Sequence, residues 1–140
     1  MSLSKLILGQ FTVHALRDGF FALDAGALFG VVPKPIWEKI FPADELNRIH
    51  LGLNSLLIKT ESAQILVDTG IGTMIPDKFV QYYGVDQEPG LVQSLKNLGV
   101  DPEEVDFVIN THLHFDHCGG NTYRDKKDQI LPVFPKAKYV

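Results

Sequence analysis

Residues Thr111 to Gly120 read THLHFDHCGG and gather His112, His114, Asp116 and His117. Three of the chain's five histidines fall within six consecutive positions. Imidazole nitrogen and carboxylate oxygen are ligands that Zn²⁺ takes at about 2.0–2.2 Å. In an extended segment, residues two apart point the same way, so His112 and His114 can face one metal together. The chain must then turn, and after the turn Asp116 and His117 can face a second position beside the first. Two metals about 3.5–4 Å apart can share one bridging hydroxide, which is a nucleophile for hydrolysis. Gly119 and Gly120 let the backbone pass close behind such a site. Four ligand-type residues at this spacing argue against a chance cluster of surface histidines. Cys118, next to a ligand, reads as a small packing thiol rather than a further ligand. His14 and His50, remote in sequence, read as ordinary histidines.

A rigid strand has to hold that loop, and Val105 to Asn110 supplies a short apolar one directly before it. The rest of the chain alternates short strands and helices, the pattern of a mixed α/β fold. Leu6 to Leu16 reads as a first strand, Arg17-Asp18-Gly19 as a turn, and Phe20 to Leu23 as a strand pairing back. Asp24 to Pro35 reads as a long loop and Pro35 to Phe41 as a short helix. Leu51 to Thr60 and Gln64 to Val67 read as a hairpin around Glu61-Ser62, ending abruptly at Asp68-Thr69-Gly70. Leu91, Leu95 and Leu98 give Gly90 to Leu98 an amphipathic helix capped by Gly99. Asp101-Pro102-Glu103-Glu104 is a helix-start signature. Pro132 to Pro135 reads as extended, and Ala137 to Val140 as the start of another strand. That unfinished strand signal leads to the expectation that residues 1–140 are a fragment of one domain. Phe20, Phe21, Phe29 and Trp37 flank the Gly/Pro-rich loop. Of these Phe29 is the candidate for an apolar substrate pocket, and the others read as core.

The composition bounds the possibilities. With 140 residues, 45% hydrophobic and 21% charged, the chain can bury a core and is not a disordered or coiled-coil sequence. Thirteen Lys and Arg against 17 Asp and Glu leave a net charge of −4, unsuited to a nucleic-acid surface. The one dense charge cluster, Arg124 to Asp128, mixes both signs and reads as a solvated loop. A single cysteine forbids an intrachain disulfide. No apolar run approaches the roughly 20 residues that cross a bilayer. A cytoplasmic home with no membrane partner is the resulting expectation.

The His-x-His-x-Asp-His run after a short strand resembles the signature of the metallo-β-lactamase superfamily of hydrolases. LVDTG, Leu66 to Gly70, resembles that family's earlier strand-end motif. FPKAKYV, Phe134 to Val140, resembles the segment that leads into its next strand. The long loop GALFGVVPK is similar to one in a lactonase-like branch. The resemblance implies an αββα sandwich with a binuclear site at one edge, of which this chain carries the N-terminal half. His112 and His114 would hold the first metal, and Asp116 and His117 the second. Asp116 would also carry a proton to the leaving group. Asp68 would orient a motif residue from behind, the alternative being a turn cap. Asn110 and Thr111 could buttress the loop or satisfy local backbone. The remaining family ligands, two histidines and a bridging aspartate in the other half, have no counterpart here.

The implied activity is metal-dependent hydrolysis of an ester, lactone or thioester, a small-molecule substrate. Zn²⁺, two per complete site, is the default metal, with Fe²⁺ and Mn²⁺ as alternatives. A homo-oligomer is compatible with this picture. Two further readings differ in kind. A non-haem iron persulfide dioxygenase would carry the same motif around one Fe²⁺. An inert half-domain, or assembly partner, would bind metal weakly and expose an apolar sheet face.

Overall fold

The structure is a computed structural model that describes residues 5–140. Met1-Ser2-Leu3, to which the sequence gives no structural weight, lies outside them. In chain order the strands are β1 (Lys5–Leu8), β2 (Phe11–Asp24), β3 (Arg48–Lys59), β4 (Gln64–Val67), β5 (Phe107–Ile109), β6 (Thr122–Arg124), β7 (Ile130–Pro132) and β8 (Lys138–Tyr139). The helices are α1 (Ala25–Phe29), α2 (Lys34–Trp37), α3 (Asp77–Tyr82), α4 (Leu91–Lys96) and α5 (Phe115–Cys118). The fold is mixed α/β. Among the described residues no helix is long and apolar enough to cross a membrane.

Six strands form one sheet in the order β1-β2-β3-β4-β5-β8. The first four pair antiparallel; tight turns join β1 to β2 and β3 to β4, while residues 25–47, which contain α1 and α2, join β2 to β3. Thr60 closes the β3–β4 turn, its hydroxyl accepting the Ser62 and Ala63 amides. β5 pairs parallel to β4, and β8 parallel to β5, after crossovers that contain helices. Parallel neighbours end on the same side, so the residues after Val67 and after Ile109 emerge together. The Asp68 amide donates to the Ile109 carbonyl at 2.9 Å across that edge.

One sheet face carries the main core. Leu16, Leu57, Leu66 and Val108 point into it and meet Leu91 and Leu95 of α4, with Val100, Val105 and Phe134 closing the sides. Burying each such side chain contributes about 1.5–3 kcal/mol before entropy is counted. The opposite face is also apolar, yet Leu56, Phe107 and Ile109 on it stand 37–40% exposed. β6 and β7 form a separate hairpin whose turn holds the charged cluster, with Arg124 paired to Asp128 at 2.8 Å.

Several expectations need correction. The first turn falls at Gly9-Gln10, where Gly9 supplies a φ of 59°, and not at Arg17-Asp18-Gly19. β2 runs through the latter as a bulge. Asp18 is only 3% exposed there, and its carboxylate accepts the Ile71 and Leu91 amides, both at 2.9 Å. Those donors come from segments distant in sequence, and they hold the carboxylate inside rather than in a solvated turn. The supposed loop from Asp24 contains α1, capped by Asp24 through the Gly26 amide at 2.7 Å. The helix expected over 35–41 is a single turn, and α3 is an addition. The Asp101 capping box opens only a 3-10 turn, Pro102–Glu104, because Val105 is drawn fully into the core. Phe21 and Trp37 are core, but Phe20 is 40% exposed, with the Arg17 guanidinium 4.6 Å above its ring.

Replacing Asp18 by Ala leaves two buried amides without acceptors. Urea unfolding should register a loss of about 2–4 kcal/mol. Asp125→Ala, in the exposed hairpin turn, should cost less than about 1 kcal/mol.

Candidate metal centre

Val108 has no exposed surface and anchors β5. Beyond Ile109 the chain leaves the sheet, crosses residues 110–114 and closes into the single turn of α5. That turn forms because the His117 and Cys118 amides both donate to the His114 carbonyl, at 2.9 and 3.0 Å. The segment then lies against residues 69–72. The Thr69 amide donates to the His117 carbonyl at 2.7 Å. A Cβ on Gly119 would overlap the Ile71 carbonyl oxygen, and one on Gly120 that of Thr69. No side chain fits there, so this glycine pair is what permits the close approach.

The loop brings the four motif side chains together. The ring centroids of His112 and His114 are 4.5 Å apart, and those of His112 and His117 are 4.0 Å apart. His117 Nε2 lies 3.5 Å from an Asp116 carboxylate oxygen. His112 and His114 are exposed, whereas Asp116 and His117 are partly covered. Asp68 reaches them from the end of β4. Its carboxylate, 10% exposed, accepts the Thr111 amide at 2.8 Å and the Thr111 hydroxyl at 2.9 Å. It also lies 2.8 Å from His117 Nδ1.

A carboxylate only accepts, so the proton of a neutral His117 sits on Nδ1 and Nε2 keeps its lone pair outward. This is the arrangement by which a carboxylate behind a ligating histidine fixes ring and tautomer. Burial pushes the Asp68 carboxyl upward. The hydrogen bonds from His117 and from both Thr111 donors outweigh it and hold the group below its ordinary value. Asp68 also takes a φ of 58°, a left-handed backbone that Asp tolerates better than most residues. That turn swings its side chain toward the loop.

The donor set suits a zinc ion in kind: imidazoles and carboxylates, one imidazole oriented from behind. Among the described residues no three His, Cys, Asp or Glu side chains already converge on one ligating point. The rings of His112 and His117 contact each other, and His112 Nδ1 is 3.1 Å from the Thr111 hydroxyl. The contact with Thr111 engages Nδ1 and leaves Nε2 as the His112 nitrogen available to a metal.

Beside the loop lies an apolar cavity of about 410 Å³, lined chiefly by Ile71, Met74, Ile75, Phe79, Tyr83 and Phe115. Cys118 is half-buried and lines the same cavity. Phe115, between two motif residues, packs its ring 5.2 Å from Tyr83 and 6.2 Å from Phe21. Phe29, the pocket candidate from sequence, is not part of this wall. It stacks on Trp37 at 4.9 Å and touches Phe41, because its helix packs into a satellite core with Ala25 and Ile49. The wall comes instead from α3 and the segment before it, whose one legible signal is Phe79 and Tyr83 at helical spacing. His14 and His50 lie on β2 and β3, away from the loop.

The sequence profile of the Metallo-beta-lactamase superfamily matches residues 50–132. An N-acyl homoserine lactonase from Bacillus thuringiensis is 35% identical over 85 residues, covering 52% of this chain and 33% of its own length. Another, from a Bacillus species, is 36% identical over 77 residues, 46% of this chain and 30% of its own. A probable metal-dependent hydrolase from Staphylococcus aureus superposes with a TM-score of 0.85 at 36% identity, over 96% of this chain and 47% of its own. The dizinc quorum-quenching lactonase AidC, solved with the product N-hexnoyl-L-homoserine, gives 0.72 at 27% identity, over 98% and 43%. The chain thus spans about a third of the curated relatives and less than half of the solved structures.

Asp68→Asn keeps the size and tolerates the same backbone but removes the charge. Chelator competition should find zinc affinity lowered roughly 10–100-fold, with the circular dichroism spectrum unchanged.

Proposed function

The chain belongs to the metallo-beta-lactamase superfamily, and on that footing we propose that it carries metal-binding residues of a zinc-dependent hydrolase acting on a lactone, ester or thioester with an apolar arm. The observation that carries this reading is the meeting of Asp68, His112, His114, Asp116 and His117 where two parallel strands end. In open α/β sheets the carboxyl ends of parallel strands are where ligands bind. The lactonase relatives and the dizinc lactonase neighbour support both the metal and the substrate class.

His112 and His114 would hold one metal, Asp116 and His117 a second. A bound pair would supply Lewis acidity toward a carbonyl and would lower the pKa of a bound water to about 7. This chain's residues do the rest of the work proposed for it. Asp68 holds the Nδ1 proton of His117 and keeps that ring pointing one way. Asp116 is the acid–base group available to move a proton to the leaving oxygen. The cavity between α3 and Phe115 receives the apolar arm and shields it from water.

Two measurements test this. Protein purified without chelator should contain zinc by elemental analysis, and a His112→Ala/His117→Ala variant should not. Iron in place of zinc, or zinc retained by the variant, would refute the reading. Met74→Trp should fill the cavity. It should raise KM for a decanoyl homoserine lactone about tenfold, the loss of roughly 1.4 kcal/mol of binding, while a butanoyl substrate stays within about twofold. Equal effects on both substrates would remove the cavity from the proposal.

A further inference from the structure

Asn121 lies just past the glycine pair and touches none of the motif side chains in the hydrogen-bond network. Both ends of its carboxamide are nevertheless used. Its Nδ2 donates to Asn110 Oδ1 at 2.8 Å, and its Oδ1 accepts the Thr69 hydroxyl at 2.9 Å. Asn110 in turn donates from Nδ2 to the His117 carbonyl at 3.2 Å. The Thr69 amide donates to the same carbonyl at 2.7 Å. Asn121 is itself tied down, since its own carbonyl accepts the Val133 amide at 2.9 Å and the Tyr139 hydroxyl at 3.1 Å.

We infer that Asn121 is a positioning residue of the metal centre: it bridges Thr69 to Asn110 and so clamps the His117 carbonyl from both sides. The inference rests on His117 being a ligand, as proposed above. Asp68 fixes the imidazole of His117, and a ring fixed at one end is aimed only if its backbone is fixed as well. The residues that hold that backbone come from the ends of β4 and β5. Left alone, either carboxamide could rotate to solvent, for Asn110 and Asn121 are only partly buried, whereas Thr69 is held in place by burial. With its acceptor and donor both engaged, Asn121 has one allowed orientation, which sets that of Asn110 and leaves the Asn110 donor facing His117. A chain of hydrogen bonds of this kind holds a site more tightly than its separate members would.

The test compares Asn121→Ala, Thr69→Val, Thr69→Ser and a packing control, Val133→Ala, which trims a side chain packed against the core but keeps the amide that holds Asn121. Zinc affinity by chelator competition should fall about tenfold in Asn121→Ala and Thr69→Val, and stay within about twofold in Thr69→Ser and Val133→Ala. In metal-free protein, hydrogen exchange of the Thr69 amide should quicken at least about tenfold in Asn121→Ala relative to Val133→Ala. If Asn121→Ala matches the packing control in both measurements, the clamp is overturned. A parent chain that takes up no zinc would instead overturn the metal reading. Exchange alone would then decide the clamp: acceleration upholds it and no acceleration removes it.

Discussion

Parallel pairing of β4 with β5 is the constraint on which the site depends. The two strands are short, four and three residues, and they are held by Leu66 and Val108, neither of which has exposed surface. Because they run the same way, the turn at Asp68 and the loop at Thr111 leave the sheet at one edge. The amide of Asp68 pairs with Ile109, so the register of the strands also sets the distance between carboxylate and loop. An antiparallel pair would have sent these segments to opposite ends of the sheet. Everything chemical in the molecule is built on that adjacency.

The loop is then held by polar contacts rather than by burial. His112 and His114 are open to solvent, and Leu113 between them is 80% exposed. Order comes from the α5 turn, from Asp68 beneath Thr111 and His117, and from the close passage of Gly119 and Gly120 over residues 69–71. Such a loop suits a site whose ligand supplies the last part of its rigidity, since hydrogen bonds at a solvent edge are each worth little. The apolar side of the same site is different. Phe115 belongs to the motif loop in sequence, but its ring joins Phe21 and Tyr83 in an aromatic group. One short loop thus presents polar donors on one side and a cavity wall on the other.

The sequence was most informative where chemistry and local geometry coincide. The spacing of His112, His114, Asp116 and His117 named the candidate ligands, and the following glycines announced a close approach. The β3–β4 hairpin and the α4 stripe were legible because their patterns need only neighbouring residues. Asp18 was not, for a reason of physics: its partners, the amides of Ile71 and Leu91, lie 53 and 73 residues away. A short Arg-Asp-Gly run looks like a turn unless those acceptor needs are known. Phe29 failed for a similar reason, because a stacking partner such as Trp37 competes for the same apolar ring.

By itself the sequence determined the residue types for a candidate metal site, the mixed α/β class, a net charge of −4 and a single cysteine. Those follow from composition and from spacing along the chain, which are local properties. Only the tertiary structure decided that Asp68 stands behind His117, that Asn121 bridges Thr69 and Asn110, and that α3 rather than Phe29 walls the cavity. These depend on contacts between segments 11 to 52 residues apart or on the packing of a helix. Such contacts are selected by which burial and hydrogen-bond arrangement has the lowest free energy over the whole chain, and no short stretch carries that information.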